Sequence, residues 1–502
     1  MKLANLLINI ALPERVGALE IKGLALDSRR VQEGDLFIAI GGTRTDGKKF
    51  ISQAREKGAV AVLIEATNEN GIEIIQSDSV VGVPVPNLAA QLSSIAGRFY
   101  GEPSKRLEVI GITGTNGKST CVSLLAQASE LMGNAAWQLG TLGFGKPGAE
   151  LIDTGLTTPD AISCQKILAQ AEGEVSLVAM EVSSHAVVQN RVSGISFKAG
   201  VFTNITRDHL DFHETFEAYG EAKLQFLRDV NMDFVVLNFD DEFANKIIRG
   251  ESASLPKVYS FSLSDKRADV WAELETLSLS GISARIHSPW GEGLLVSSLV
   301  GEFNLSNLLA VICVLAARGH PFPEILNAVK KLKGVDGRLQ KVEVENELEN
   351  SPAVFIDYAH TPDALLKALA GLSKLNSGEM WLVFGCGGDR DKGKRPLMAE
   401  IAESHAQYVV ITSDNPRTED PQLIIDDIVG GLKNKNSASV FIDRRQAIEY
   451  AVNKLPDNGC LLVAGKGHEK YQIVGDQRLP FDDYVIAQNA LLKRIEHRGL
   501  TR

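Results

Sequence analysis

The residues best suited to chemistry begin at Gly114. The run GTNGKST, comprising Gly114, Thr115, Asn116, Gly117, Lys118, Ser119 and Thr120, follows the apolar stretch LEVIGI and opens a helical pattern. A phosphate loop needs that context. Its glycines let backbone N–H groups approach phosphate oxygens, and the helix N-terminus adds a positive field. In such a loop Lys118 contacts the β- and γ-phosphates, and the hydroxyl of Ser119 or Thr120 reaches Mg2+. Ile112 stands where the usual GxxxxGKS/T spacing has its first glycine. An ordinary glycine-rich turn is the alternative, and the Gly-Lys-Ser-Thr run argues against it.

Two further positions follow the next strands. Glu181 ends VAME, and His209 lies in TNITRDHLDFH. Mg2+ takes hard ligands, commonly one or two carboxylates with phosphates and waters, so Glu181 at a strand end suits it. His209 alone reads as a structural histidine and gains weight only from its company. Lys223, in EAYGEAKLQFL, reads from the residues alone as a solvent-facing helix lysine.

A last set comprises DYAHTPDAL (357–365), GCGGDRDKGKRP (385–396), SDNPRTEDP (413–421) and AGKGHEKYQ (464–472). Each falls where a strand should end. Arg390 and Arg417 can hold carboxylates through a bidentate fork, and Asp414 and Glu469 can receive an ammonium. A substrate with both carboxylates and amines suits the set. The alternative is a series of solvated loops, with Arg417 paired to Glu419 or Asp420. Four motifs at successive strand ends weigh against it.

The elements that must position these residues are those of an α/β protein. DLFIAI (35–40) and AVAVLI (59–64) read as buried strands, with a helix over FISQAREKG between them. GEPSKR (101–106) breaks the pattern and marks a boundary. LEVIGITG, VSLVAMEV, AGVFTNI and DFVVLN then alternate with helical stretches, as in a parallel sheet covered on both faces. Residues 257–303 read as extra strands, with antiparallel pairing open. A second α/β series starts near residue 340, in AVFIDYA, MWLVFGCGG, YVVITSDNP, SVFIDR and CLLVAGKG. Ligands of open α/β sheets sit outside the carboxyl ends of the strands, where the polar motifs fall.

A chain of 502 residues is too long for one core and implies two to four domains. The net charge of −11 argues against a nucleic-acid partner. It still permits anionic substrates at local clusters of cations. The five cysteines, Cys121, Cys164, Cys313, Cys386 and Cys460, form no CxxC pair and read as reduced thiols of a cytoplasmic protein. The N-terminus reads as a first helix rather than a signal peptide. No apolar run approaches the ~20 residues of a membrane span.

With these motifs in view, the chain resembles the Mur ligase family, and within it the type that adds meso-diaminopimelate. The resemblance rests on GITGTNGKST, LTTPD, EVSSHAVVQNR, FTNITRDHLDFH, GEFNLSNLLA, VDGRLQKV, DYAHTPDAL, FGCGGDRDKGKRP, SDNPRTED and GKGHE, in order from about residue 24 to about 485. It implies three domains: a UDP-muramoyl-binding domain over 1–102, a central P-loop ATPase-like parallel sheet over 103–337, and a Rossmann-like amino-acid-binding domain over 338–502. It implies that Gly114 to Thr120, Asn304, Arg338 and Asp357 bind ATP, and that Ser119, Thr120, Glu181 and His209 hold Mg2+. Lys118, His209 and Lys223 become catalytic, with Lys223 carbamylated. Leu26, Ser28, Thr43, Arg44, Thr45, Thr157, Thr158, Ser183, Gln189 and Arg191 match contacts to UDP-N-acetylmuramoyl-L-alanyl-D-glutamate. Arg390, Asp414, Asn415, Pro416, Arg417, Gly465 and Glu469 match contacts to diaminopimelate. The chain departs from the family with GTRTDG at 42–47, where many members have GHQADG, and with Leu156, where some have Asn.

The implied reaction phosphorylates the muramoyl dipeptide's carboxylate from ATP and lets the diaminopimelate amine displace phosphate, with domain closure gating the step. The resemblance also implies a cytoplasmic monomer. The rivals are the lysine-adding relative, disfavoured by Arg417, and a folylpolyglutamate-type ligase, disfavoured by LDSRR and the first domain. A P-loop switch is a third rival, and it needs no carboxylate-binding arginines in a second α/β domain.

Overall fold

The computed structural model describes residues 1–41, 46–66, 75–77, 80–206, 208–228, 232–251, 255–344 and 352–499. The chain divides into two compact units, Met1–Trp271 with Leu309–Ala328, and Ala272–Leu308 with Val329–Arg502.

The first unit holds two sheets. The smaller runs in the order Gly23–Ala25, Asp35–Ala39, Ala61–Glu65, Val80–Val85, Ile75–Ser77. Its pairings are parallel except the last. Asp35–Ala39 is buried along its whole length, as an apolar run covered on both faces must be. Helix Leu88–Phe99 seals this sheet with Leu88, Leu92, Ile95 and Ala96. Ile51–Glu56 forms the helix expected over FISQAREKG. The N-terminus forms two short helices, Leu3–Leu6 and Glu14–Gly17.

The second sheet runs, from Lys257–Ser262 onward, in the order Lys257–Ser262, Phe234–Asn238, Ala199–Phe202, Glu108–Thr113, Leu177–Glu181, Ala136–Gly140, Gly143–Gly145. All pairings are parallel except the terminal hairpin. Leu177–Glu181 is buried at every position, and its apolar side chains enter a core with Val109, Phe202, Phe226 and Val235. From Glu108–Thr113 the chain first builds the sheet toward one edge and then crosses to the other side. The phosphate-loop strand is therefore the topological switch point, where open α/β sheets bind their ligands. The register sets Ile112 beside Glu181 and Thr113 beside Phe202, so the loop, Glu181 and Thr203 share one end of the sheet.

In the second unit Gly281–Ser288 and Gly291–Ser297 form an antiparallel hairpin, the pairing left open by the sequence. The six-stranded sheet runs Gln340–Lys341, Ala353–Asp357, Cys460–Ala464, Met380–Phe384, Tyr408–Thr412, Ala438–Phe441. It is parallel apart from the short first strand. Cys460–Ala464 inserts last, between Ala353–Asp357 and Met380–Phe384. That insertion gathers the carboxyl ends carrying residues 357–361, 385–391, 413–417 and 465–469 along one edge of the sheet.

Candidate active site

The first unit's site begins with the loop after Thr113. Gly114 has φ +147°, and a Cβ there would lie 1.9 Å from Thr203 Oγ1. Only glycine lets the loop pass Thr203. Residues after the neighbouring strand brace it. Thr115 N donates to Asn204 O at 2.8 Å, Asn116 N to Asn204 Oδ1 at 3.0 Å, and Thr203 Oγ1 to Asn116 O at 2.6 Å. Gly117 caps helix Lys118–Leu131 in a left-handed conformation, leaving the first-turn N–H groups, with Ser119 and Thr120, facing outward as an anion site. Lys118 Nζ arches over the loop and donates to Gly114 O and Thr115 O, both at 2.9 Å.

Lys223 corrects the reading from residues alone. It is 1% exposed, and its Nζ donates to Gly114 O at 2.9 Å from 4.4 Å above the Tyr219 ring. Burial, and secondarily the Lys118 cation, push its pKa well below the ordinary lysine value. The helix Phe216–Leu227 places Lys223 on the same inward face as Tyr219, Phe226 and Leu227. Tyr219 OH lies 3.0 Å from Thr115 Oγ1, tying this helix to the loop.

Glu181 is buried and accepts from Thr141 N at 2.8 Å and Thr141 Oγ1 at 3.3 Å. Thr141 Oγ1 also pairs with Thr157 Oγ1 at 3.0 Å. Thr158 Oγ1 donates to Glu181 O at 2.8 Å and accepts from Ser183 N at 3.0 Å. Arg191 Nη1 donates to Thr158 O at 2.7 Å, and its Nε donates to Gln189 Oε1 at 3.0 Å. Five expected substrate contacts, Thr157, Thr158, Ser183, Gln189 and Arg191, thus form one network on Glu181. Thr141, Thr203, Asn204 and Tyr219 complete the site and were not legible as site residues.

His209 sits at φ +51° and bonds to Asp208 through its backbone N–H. Its ring packs edge-on against His185 at 4.8 Å, and His213 is 5.6 Å from His185. No hydrogen bond or ion pair joins His209 to Glu181. Among the described residues, no three His, Cys, Asp or Glu side chains gather as a metal cage. The donors at hand are a carboxylate and hydroxyls, hard oxygen groups that fit Mg2+, which completes its shell with phosphates and waters. Ser28 Oγ donates to Gln53 Oε1 at 2.6 Å, and Leu26 lies half-buried just before it. Thr43, Arg44 and Thr45 lie outside the described residues.

The second unit holds the other expected sites. Asp357 accepts from Leu339 N at 2.7 Å and Ala359 N at 2.8 Å, and burial raises its pKa. Arg338 stacks over the Tyr358 ring at 4.9 Å, and its buried Nε has no partner among the described residues. Asn304 binds Val300 O at 2.9 Å and Asn307 within its own helical segment.

Arg390 and Arg417 flank Gly387. A Cβ on Gly387 would fall 2.9 Å from Arg417 Nη1 and 3.8 Å from Arg390 Cγ, so the glycine keeps the space between the two arginines open. Arg390 is exposed. Arg417, at φ +53°, donates from Nη1 to Gly388 O at 2.8 Å. Neither proposed acidic partner holds it. Glu419 binds buried Arg395 at 2.9 Å and Lys392 at 3.2 Å, and Asp420 caps helix Pro421–Val429. Asn415 Nδ2 donates to Glu469 Oε2 at 2.7 Å. Pro416 is buried. Gly465 N donates to Asp357 O at 3.0 Å, and the Asp414 carboxylate fills the space beside Gly465. The loops at these strand ends thus carry two guanidinium groups and two carboxylates, a set that can receive a zwitterion with an additional carboxylate.

Three domain profiles match the chain: Mur ligase family, catalytic domain, over residues 20–100; Mur ligase middle domain over 112–315; and Mur ligase, glutamate ligase domain, over 337–467. The UDP-N-acetylmuramoyl-L-alanyl-D-glutamate--2,6-diaminopimelate ligase of Coxiella burnetii is 44% identical over 94% of this chain and 96% of its own length. The ligase of the same name from Haemophilus influenzae is 41% identical over 98% of this chain and 100% of its own. A solved structure of a ligase of that name superposes with a TM-score of 0.72 at 32% identity, covering 99% of each chain. The folylpolyglutamate synthase of Mycobacterium tuberculosis shares the fold alone, with a TM-score of 0.59 at 17% identity, covering 75% of this chain and 92% of its own. A phosphate loop on a parallel sheet, a second α/β unit with charged loops at its strand ends, and relatives matched along nearly their whole length lead to one conclusion: the chain belongs to the Mur ligase family.

Proposed function

We propose that the chain is an ADP-forming ligase that joins meso-diaminopimelate to UDP-N-acetylmuramoyl-L-alanyl-D-glutamate, a step in making peptidoglycan precursor. The names of its near-full-length relatives support this. The observation that carries the choice of amino acid is Arg417, a guanidinium without a carboxylate partner among the described residues, opposite Arg390 across Gly387.

The reaction proceeds in two steps. A carboxylate oxygen of the muramoyl dipeptide attacks the γ-phosphorus of ATP, and ADP leaves. The neutral amine of diaminopimelate then attacks the acyl carbon, inorganic phosphate leaves, and the amine's proton passes to solvent. Lys118 and the N–H groups of the 114–120 loop bind the phosphates and offset charge on the transferring group. Ser119, Thr120, Glu181 and His209 would hold Mg2+, whose charge screens the phosphate oxygens when bound. Asn304, Arg338 and Asp357 bind the nucleotide, with the unspent Nε of Arg338 as donor. Thr157, Thr158, Ser183, Gln189 and Arg191 hold the muramoyl dipeptide, with Leu26, Ser28 and residues 43–45 toward the uridine. Asp414 and Glu469 take the ammonium at the end of diaminopimelate whose carboxylate Arg417 forks.

Lys223 is carbamylated in the working enzyme. Carbamate formation consumes a neutral amine and CO2, and a lysine held well below its ordinary pKa supplies that amine more readily than a solvated one. The protein works as a cytoplasmic monomer, and no helix among the described residues is long and apolar enough to cross a membrane. Phosphate release tests the ligase reading. It should require ATP, the muramoyl dipeptide and diaminopimelate together, and release with ATP alone at the full rate would fit a nucleotide switch instead.

A further inference from the structure

Lys466 is the one residue of the 464–469 turn that is fully buried and charged, and nothing above gives it a role. Its side chain is 0% exposed. Its Nζ donates to Asn415 Oδ1 at 3.0 Å and lies 3.4 Å from Glu469 Oε2. Asn415 Oδ1 also accepts from Ile473 N at 2.9 Å. Two donors therefore converge on that oxygen, which fixes the amide so that Nδ2 must point at Glu469. The resulting Asn415 Nδ2 to Glu469 Oε2 bond is 2.7 Å. Glu469 Oε2 is thus held by two donors, and no hydrogen bond engages Oε1 among the described residues. Removing the Lys466 ammonium would leave the amide oxygen held by Ile473 N alone and Glu469 without its only cation within 4 Å among the described residues.

We infer that Lys466 is a positioning residue for the amino-acid substrate: it locks the Asn415 amide and, through it, turns Glu469 Oε1 toward the substrate's ammonium group. This rests on the reading that Asn415 and Glu469 bind diaminopimelate. Lys466 itself need not touch the ligand. Burial in reach of Arg444 holds its pKa below the ordinary lysine value, yet Asp414 and Glu469 oppose that shift, in keeping with a cation shared by the site's two carboxylates.

The experiment is a double-mutant cycle on the full chain, with KM for diaminopimelate, ATP and the muramoyl dipeptide measured for wild type, Lys466→Met, Glu469→Gln and the double variant. The expected result for Lys466→Met is a KM for diaminopimelate raised ten- to hundredfold, with the other two KM values within about threefold. In the Glu469→Gln background the same change should add less than threefold, since Lys466 then has no carboxylate to turn. Lys466→Gln, which can still donate to Asn415 Oδ1, runs the same cycle if Lys466→Met does not fold, with a smaller first effect expected. The inference is overturned if the lysine change costs the same factor in both backgrounds, if all three KM values rise together, or if none moves. A Glu469→Gln variant with unchanged KM for diaminopimelate overturns the site reading itself, along with the inference.

Discussion

Arg417 should choose diaminopimelate over lysine, and the structure sets the size of the effect. The two amino acids differ by one carboxylate on the distal carbon. Arg417 is half-buried, and the one hydrogen bond of its side chain among the described residues, to Gly388 O, uses Nη1. Its remaining N–H groups can fork a carboxylate in two charge-assisted bonds, each worth ~1.5–3 kcal/mol net. Partial exposure places the pair at the low end, about 3 kcal/mol in all. At ~1.4 kcal/mol per factor of ten, this amounts to about a hundredfold. The assay is kcat/KM for both amino acids in wild type, Arg417→Lys and Arg417→Ala. The wild-type preference should be about a hundredfold or more, intermediate in Arg417→Lys, which keeps charge without the fork, and below about tenfold in Arg417→Ala. The φ of +53° strains arginine and alanine alike, and any remaining backbone cost is common to both substrates and cancels in the ratio. An unchanged ratio in Arg417→Ala would refute the argument, whatever happened to the absolute rate.

Three other changes bear on the phosphate-loop site, and a fourth on stability. Lys118→Ala should lower kcat by about a thousandfold or more, because the loop loses the cation over the transferring phosphoryl, and near-normal turnover would remove the phosphate-loop reading. Lys223→Ala should be about a hundredfold or more slower and recover partly with a short carboxylic acid, whereas full activity without the acid would show that no carbamate is needed. Gly114→Ala should abolish ATP binding measured by calorimetry, since its Cβ would meet Thr203 Oγ1 at 1.9 Å. In the second unit, Asp483→Ala leaves buried Arg444 without its 2.6 Å partner and should cost ~3–5 kcal/mol of stability, while Arg444→Met with Asp483→Leu should melt close to wild type. Equal melting of the single and double variants would contradict the ion-pair argument.

Much of the fold was written in apolar runs. Strands such as LVAME and CLLVA are buried on both faces, so their composition announces them, and the polar motifs after them mark the carboxyl ends. What a strand end will meet is harder to read. Lys223 looked solvated because a lysine on a helix is solvated by default, yet its spacing from Tyr219 and Leu227 already put it on an apolar stripe. That four-residue period was the missed signal. The pairing of Arg417 with Glu419 was plausible by proximity in sequence, but Glu419 is taken by Arg395, whose position follows only from how helix Lys394–His405 packs against the loop carrying Glu419. Lys466 could not be found either, because its partner Asn415 lies 51 residues away. The brace formed by Thr203 and Asn204 is legible only once two strands are known to be neighbours.

The central claim is ligation through an acyl phosphate, and one measurement reaches both halves of it. The purified protein receives ATP, meso-diaminopimelate and UDP-N-acetylmuramoyl-L-alanyl-D-glutamate carrying oxygen-18 in its terminal carboxylate, and all products are read by mass. Ligation through an acyl phosphate gives a UDP-linked tripeptide containing diaminopimelate, together with ADP and inorganic phosphate bearing one oxygen-18 atom. Unlabelled phosphate would contradict the acyl phosphate, and ADP formed without any tripeptide would contradict ligation itself.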